Sequence, residues 1–214
     1  MKLYTYFRSS SAYRVRIALG LKGIKVDPHF VHLTQDGGQQ HALEFRAVNP
    51  EGLVPVLEDG SVTITQSLAI LEYLDERYPE VPLLPSIASD RAWVRSLALQ
   101  IACDISPLTN LRVLQYLERS QDLTSEDKQA WIVHWMGEGL AALEAHLGGD
   151  SRTGEFCFGN SPTIADCCLV PQVFNARRFG IPLDQYPTLV RIDAHLTMLP
   201  VVQSAAPDAQ RDAS

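Results

Sequence analysis

The period of the hydrophobic positions changes several times along the first eighty residues. Residues 2–7, Lys-Leu-Tyr-Thr-Tyr-Phe, are dense in aromatics and predict a short strand. From 11 to 22, Ala12, Val15, Ile17, Ala18, Leu19 and Leu21 alternate with Arg14, Arg16 and Lys22, which predicts a helix with one apolar face. Residues 26–32 read as a second strand. Residues 33–46 are polar and contain glycine, and predict a loop with one helical turn. Two short strands, 54–58 and 61–65, flank Asp59-Gly60, a hairpin signal. Ser67 stands where an N-cap would open a helix to Tyr78, ended by Pro79. The expected order is β-α-β-(α)-β-β-α.

Residues 79–88 hold Pro79, Pro82 and Pro85 and form the most linker-like stretch. They divide an α/β domain, 1–80, from an all-helical domain, 88–214. Helical periodicity runs over 89–119, 125–147, 163–179 and 187–198. Within Ser161-Pro162-Thr163-Ile164-Ala165-Asp166, the T-x-x-D spacing predicts a capping box that starts a core helix. The segment after Pro200 is polar and Ala-rich and is expected to be mobile. No internal repeat or low-complexity tract interrupts this plan.

Composition narrows the function classes. A chain of 214 residues, 46% hydrophobic and 20% charged, has enough apolar material for two small domains. The net charge of -7, without a long basic run, argues against a nucleic-acid partner. An anionic substrate stays compatible, because a few arginines can reverse the potential within one cleft. Of the cysteines, Cys103, Cys157, Cys167 and Cys168, no pair has C-x-x-C spacing, and the adjacent pair suits a core in a reducing compartment. The histidines lack metal-ligand spacing, so no metal is expected. Trp93, Trp131 and Trp135 lie in helical patterns and read as core or domain packing. Met1 leads straight into a strand and no apolar run reaches membrane length, so a soluble, cytoplasmic protein with no membrane partner is expected.

Chemistry concentrates at three places. Arg8-Ser9-Ser10-Ser11 lies between a strand and a helix start, where backbone N–H groups and the helix dipole favour negative charge. One cap needs one hydroxyl, and here there are three. Val54-Pro55 sets a proline early in a strand, where it removes a ladder donor. Gln66-Ser67 opens a helix.

The order and spacing of these motifs are more specific than any one of them. R-S-S-S-x-Y-R-V-R-I-A-L, N-P-x-x-x-V-P-V-L, I-T-Q-S-L-A-I-L-E-Y-L and T-I-A-D-C-C-L-V-P-Q together resemble the zeta class of glutathione S-transferases, from Lys2 to about Pro200. The resemblance implies a thioredoxin-like N-terminal domain, an all-α C-terminal domain and a homodimer. It implies a glutathione-dependent cis–trans isomerase that converts maleylacetoacetate or maleylpyruvate, both dicarboxylates, to the fumaryl isomer. The alternative is a general transferase conjugating glutathione to small electrophiles such as α-halo acids. Residue by residue, Arg8, Ser9, Ser10 and Ser11 are the implied catalytic residues: Ser9 and Ser10 match the family motif, and Ser10 or Ser11 would donate to the glutathione sulfur. Val54, before a cis Pro55, would pair its backbone with the cysteinyl unit. Gln66 and Ser67 would hold the γ-glutamyl end, and Gln40, in G-G-Q-Q, the glycine end. Asn110 matches a second-domain glutathione contact. Arg8, Arg112 and Arg178 are the expected substrate-binding cations, while Arg177 reads as surface. Ser11 stands where many members have Cys, and Tyr13 where they have Trp or His. Arg112 resembles maleylpyruvate-type members, whereas the Tyr6-to-Ser10 and G-G-Q-Q stretches resemble maleylacetoacetate-type ones.

Overall fold

Four short strands build the only sheet found among residues 1–213, which the computed structural model describes. They are β1 (Lys2–Thr5), β2 (Asp27–Phe30), β3 (Val56–Asp59) and β4 (Val62–Thr65), in the order β2-β1-β3-β4. β1 lies parallel to β2, with Leu3 opposite Pro28, and antiparallel to β3, with Leu3 opposite Leu57. A parallel pair needs a crossover, and α1 (Ser10–Leu21) supplies it. β3 and β4 form the hairpin expected around Gly60, whose φ of 61° suits glycine.

α1 departs from the expected pattern. It has no polar face: every residue from Ala12 to Leu19 is buried, Arg14 and Arg16 included. The cause is cover on two sides. α3 (Ser67–Arg77) packs on α1, and so does α9 (Pro200–Ala205). Lys22, at the end of α1, is also drawn in: its ammonium pairs with Asp75 at 3.1 Å and donates to the Tyr78 and Val81 carbonyls.

Residues 200–213 are therefore ordered structure. They form α9 and a 3-10 turn, Pro207–Ala209, with Val202 and Ala205 buried. A Cβ at Gly20 would lie 3.2 Å from the Val201 Cβ, so glycine lets α9 come close. By packing, one compact unit comprises Met1–Leu83 together with the chain from Met198 on, and the other Leu84–Thr197. The C-terminal stretch thus joins the α/β unit, not the helical one expected over 88–214.

Two local expectations also change. Residues 33–46 hold two 3-10 turns, Gln35–Gly37 and Gln39–His41, and the start of α2 (Leu43–Val48). Gln66, at φ 67°, is the N-cap of α3, and Ser67 is its first helical residue.

The second unit is helical: α4 (Ala88–Leu99), α5 (Leu111–Ser120), α6 (Ser125–Gly149), α7 (Ile164–Arg178) and α8 (Pro187–Thr197). The single long periodicity of 89–119 breaks into α4, a π-helical turn at Gln100–Ile105 and α5. Asn110 restarts the helix as N-cap, its side chain accepting from the Arg112 N–H at 3.1 Å. α7 is the central helix, buried from Ile164 to Val173. Its start is the capping box that T-x-x-D predicts. The Asp166 carboxylate accepts from the Thr163 N–H and hydroxyl, each at 2.7 Å, and from the Cys157 N–H at 2.9 Å. Arg177 is not a free surface charge, because it pairs at 2.6 Å with Asp193 of α8, a residue only 1% exposed.

Candidate functional site

The turn from β1 into α1 divides the roles of its serines. Ser9 is the N-cap: its Oγ accepts from the Ala12 N–H at 3.2 Å and its carbonyl from the Tyr13 N–H at 2.8 Å. The cap thus uses one hydroxyl. Ser10 and Ser11, both half-buried, are the first helical residues, where amides without intrahelical acceptors and the positive dipole end coincide. Arg8 is exposed, its guanidinium 5.1 Å from the Phe7 ring and 3.4 Å from the Tyr6 hydroxyl.

The start of α3 is tied to α1. Arg14 Nη1 donates to Ser67 Oγ at 3.2 Å, a buried contact that brings the Gln66-Ser67 turn to the helix of the serine cluster. Sequence reading missed Arg14 because its spacing placed it on a solvent face. Gln66 keeps a left-handed backbone that costs a non-glycine residue about 1–3 kcal/mol, and its Nε2 donates to Glu51 Oε2 at 2.9 Å. Such conformations cluster at ligand clamps.

Val54 is buried in a cluster with Tyr6, Val31, Phe45 and Val56, and its bond to Pro55 is cis, as the resemblance implies. Gln40 is 7% exposed. Its Nε2 donates to the Leu33 carbonyl at 3.2 Å, while its Oε1 is buried without a partner. Gly38, at φ 100°, makes room for that side chain, since a Cβ there would stand 2.6 Å from Gln40 Nε2. Gly52, next to Glu51, has room for no Cβ, which would fall 3.0 Å from the Gln40 carbonyl oxygen. Hydrogen bonds therefore link Glu51 to Gln66, and Ser67 to α1, within one unit.

This set fits glutathione. A tripeptide with two carboxylates, an ammonium and a thiol would find complementary groups here in two helix N-termini, the Glu51 carboxylate and a buried carboxamide oxygen that lacks a donor.

In the helical unit, Asn110 and Arg112 open α5, and the exposed Arg178 ends α7 beside the Phe179 ring, 4.5 Å away. α6 pins both places at one end: Trp131 Nε1 donates to the Leu108 carbonyl at 2.8 Å, and Gln129 Nε2 to the Phe179 carbonyl at 2.7 Å. Trp131 was expected only to pack. Gln129 carried no signal, being a surface-type residue whose role depends on a carbonyl fifty positions away. Trp135 does not fill the core. It lines a cleft of about 450 Å3 with Cys103, Asp104 and Glu138, which holds none of the expected site residues. Among the described residues, no helix is long and apolar enough to cross a membrane.

Comparison with known proteins gives the family and the fold. Residues 3–82 match the glutathione S-transferase N-terminal domain and residues 136–194 the glutathione S-transferase C-terminal domain. The chain belongs to the glutathione S-transferase family, in its zeta class. It is 49% identical to a probable maleylacetoacetate isomerase of Vibrio cholerae over 99% of this chain and 97% of that one. Among solved structures it resembles the holo form of a bacterial zeta-class maleylpyruvate isomerase, at TM-score 0.97 and 42% identity over 100% of both chains. A maleylacetoacetate isomerase of Methylobacterium extorquens AM1 with bound malonate and glutathione matches at TM-score 0.95 and 42% identity, again over 100% of both.

Proposed function

We propose that this protein is a glutathione-dependent cis–trans isomerase of a maleyl-keto acid, maleylacetoacetate or maleylpyruvate. The carrying observation is the α1 start, where a capping serine is followed by two hydroxyls at the positive helix end, with Arg8 before them. Glutathione bound there would supply a thiolate whose reversible addition makes the conjugated double bond single and so free to rotate. The protein's own task is mainly electrostatic. Ser10 or Ser11 donates a hydrogen bond towards the sulfur, and the dipole of α1 favours its negative charge. Gln66, Ser67, Gln40 and Val54 hold the tripeptide, and Asn110 is a further contact to it. Arg8, Arg112 and Arg178 are the cations for the two carboxylates and for the keto oxygen as it gains charge, a task suited to the guanidinium fork. No protein thiol takes part, since Ser11 stands at the position where many members carry Cys. A cytoplasmic homodimer is the form in which we expect it to act.

The test is a side-by-side assay on both maleyl substrates with catalytic amounts of glutathione. Turnover of at least one, absent without glutathione, is expected. Conjugation of an α-halo acid without isomerisation of either substrate would replace this reading with a general transferase.

A further inference from the structure

The C-terminal segment grips the turn that carries Arg8 and the serines. Phe7, the residue before Arg8, donates its N–H to Asp212 Oδ2 at 2.9 Å. Its carbonyl accepts from Arg16 Nη2, also at 2.9 Å. Both backbone polar groups of one turn residue are thus held by side chains, where an exposed turn would leave them to water. The Arg16 guanidinium does more than one task. Its Nη1 reaches Thr5 Oγ1 at 3.2 Å and the Tyr6 carbonyl at 3.3 Å, and its Nε donates to the Ala205 carbonyl of α9 at 2.9 Å. One planar fork joins the end of β1, the turn and the C-terminal segment, a geometry that lysine cannot reproduce.

The arrangement is costly as a mere structural contact. Arg16 is 8% exposed, and burial lowers its pKa to about 10, a fall opposed by the Asp212 charge, so it stays cationic at neutral pH. Asp212 Oδ1 is buried without a hydrogen-bond partner. An orphaned buried oxygen on a charged group costs free energy. Neither group is needed to cap α1, which Ser9 does alone. What the pair fixes is the Phe7 peptide, one residue before Arg8.

We propose that Arg16 and Asp212 are positioning residues: they hold the Tyr6–Phe7–Arg8 backbone so that Arg8 and the first turn of α1 stand ready for the glutathione sulfur. This rests on the glutathione reading above. The C-terminal segment is then part of the site's support, although Asp212 lies more than 200 residues from the serines in sequence.

The test uses Asp212→Ala in the full chain, with Asp212→Asn as the conservative variant and Asp208→Ala, an exposed carboxylate on the same segment, as control. Amide exchange at Phe7 without glutathione should quicken about tenfold in Asp212→Ala, as expected for losing a hydrogen bond to a charged group. Ultraviolet titration should show the bound thiol ionising at higher pH, and calorimetry weaker glutathione binding. The melting temperature should stay close to that of the wild type. Asp212→Asn, whose amide oxygen still accepts the Phe7 N–H, should recover most of both effects, and Asp208→Ala should show neither. Faster exchange with unchanged thiol titration and affinity would overturn the positioning role, as would unchanged exchange. Failure of the wild type itself to bind glutathione would overturn the glutathione reading instead, and the wild-type control separates the two.

Discussion

At the scale of single residues, the three hydroxyls differ in place. Ser9 Oγ accepts from the Ala12 N–H as the cap, and on the proposed reading Ser10 and Ser11, at the first helical positions, are the donors to the sulfur. Replacing either by Ala should raise the pKa of bound glutathione by about one unit, the equivalent of a charged hydrogen bond. Thiolate absorbance against pH measures it, and an unmoved titration in both variants would assign the thiolate to backbone N–H groups. Arg8 and Arg178 are both exposed, each over the ring of a neighbouring Phe, so Met in either place keeps most of the packing. Arg8→Met and Arg178→Met should each lose about tenfold or more on a maleyl dicarboxylate and much less on a neutral electrophile. Equal losses on both substrates would make the arginine a support for glutathione or the fold. The serine cluster was legible in the sequence because its position and redundancy are both local. Arg14 and Arg16 were not, since their burial comes from α3 and α9.

At the scale of elements, helix starts were read well where the signal is contained in one turn. The Thr163–Asp166 capping box is such a case. The start of α3 was misplaced by one residue because a left-handed Gln66 has no sequence signature. The α7–α8 junction makes a pH-dependent prediction. Burial raises the Asp193 carboxyl above its usual range, and Arg177 opposes that rise. Arg177→Met removes the opposition and leaves a carboxylate that resists ionising in the folded state. A group whose folded pKa is raised contributes stability below its unfolded pKa, about 4, and loses it as pH rises through the folded pKa. The variant should therefore be destabilised at neutral pH and approach the wild type as pH falls towards 4. Arg177 is half exposed, so about 1–2 kcal/mol is expected at pH 7, less than for a fully buried pair. Urea midpoints at several pH values check it; a pH-independent difference would mean that packing, not charge, holds the junction.

At the scale of the whole molecule, the α/β unit is closed by chain from the far end of the sequence. α9 covers α1, and the Ala205 carbonyl completes the Arg16 shell. A fragment of residues 1–83 would leave that face and a buried guanidinium uncovered, and it should fail to fold cooperatively. Joining residues 198–214 through a flexible linker should restore a cooperative transition in circular dichroism. A fragment 1–83 that melts cooperatively by itself would show α9 to be dispensable.

The order of strands and helices in the first eighty residues, the hairpin at Gly60, the capping box and the family motifs were all determined by residues close in sequence. Propensity, periodicity and cap chemistry act over a few positions, so the chain carries them without its fold. The burial of Arg14, Arg16 and Lys22, the tie from Arg14 to Ser67, the pairing of Arg177 with Asp193 and the return of α9 to α1 were decided only in three dimensions. Arg14, Arg16 and Lys22 sit at ordinary surface spacings and are enclosed by elements distant in sequence. Whether a charge meets water or a partner depends on what packs over it, and no local pattern encodes that.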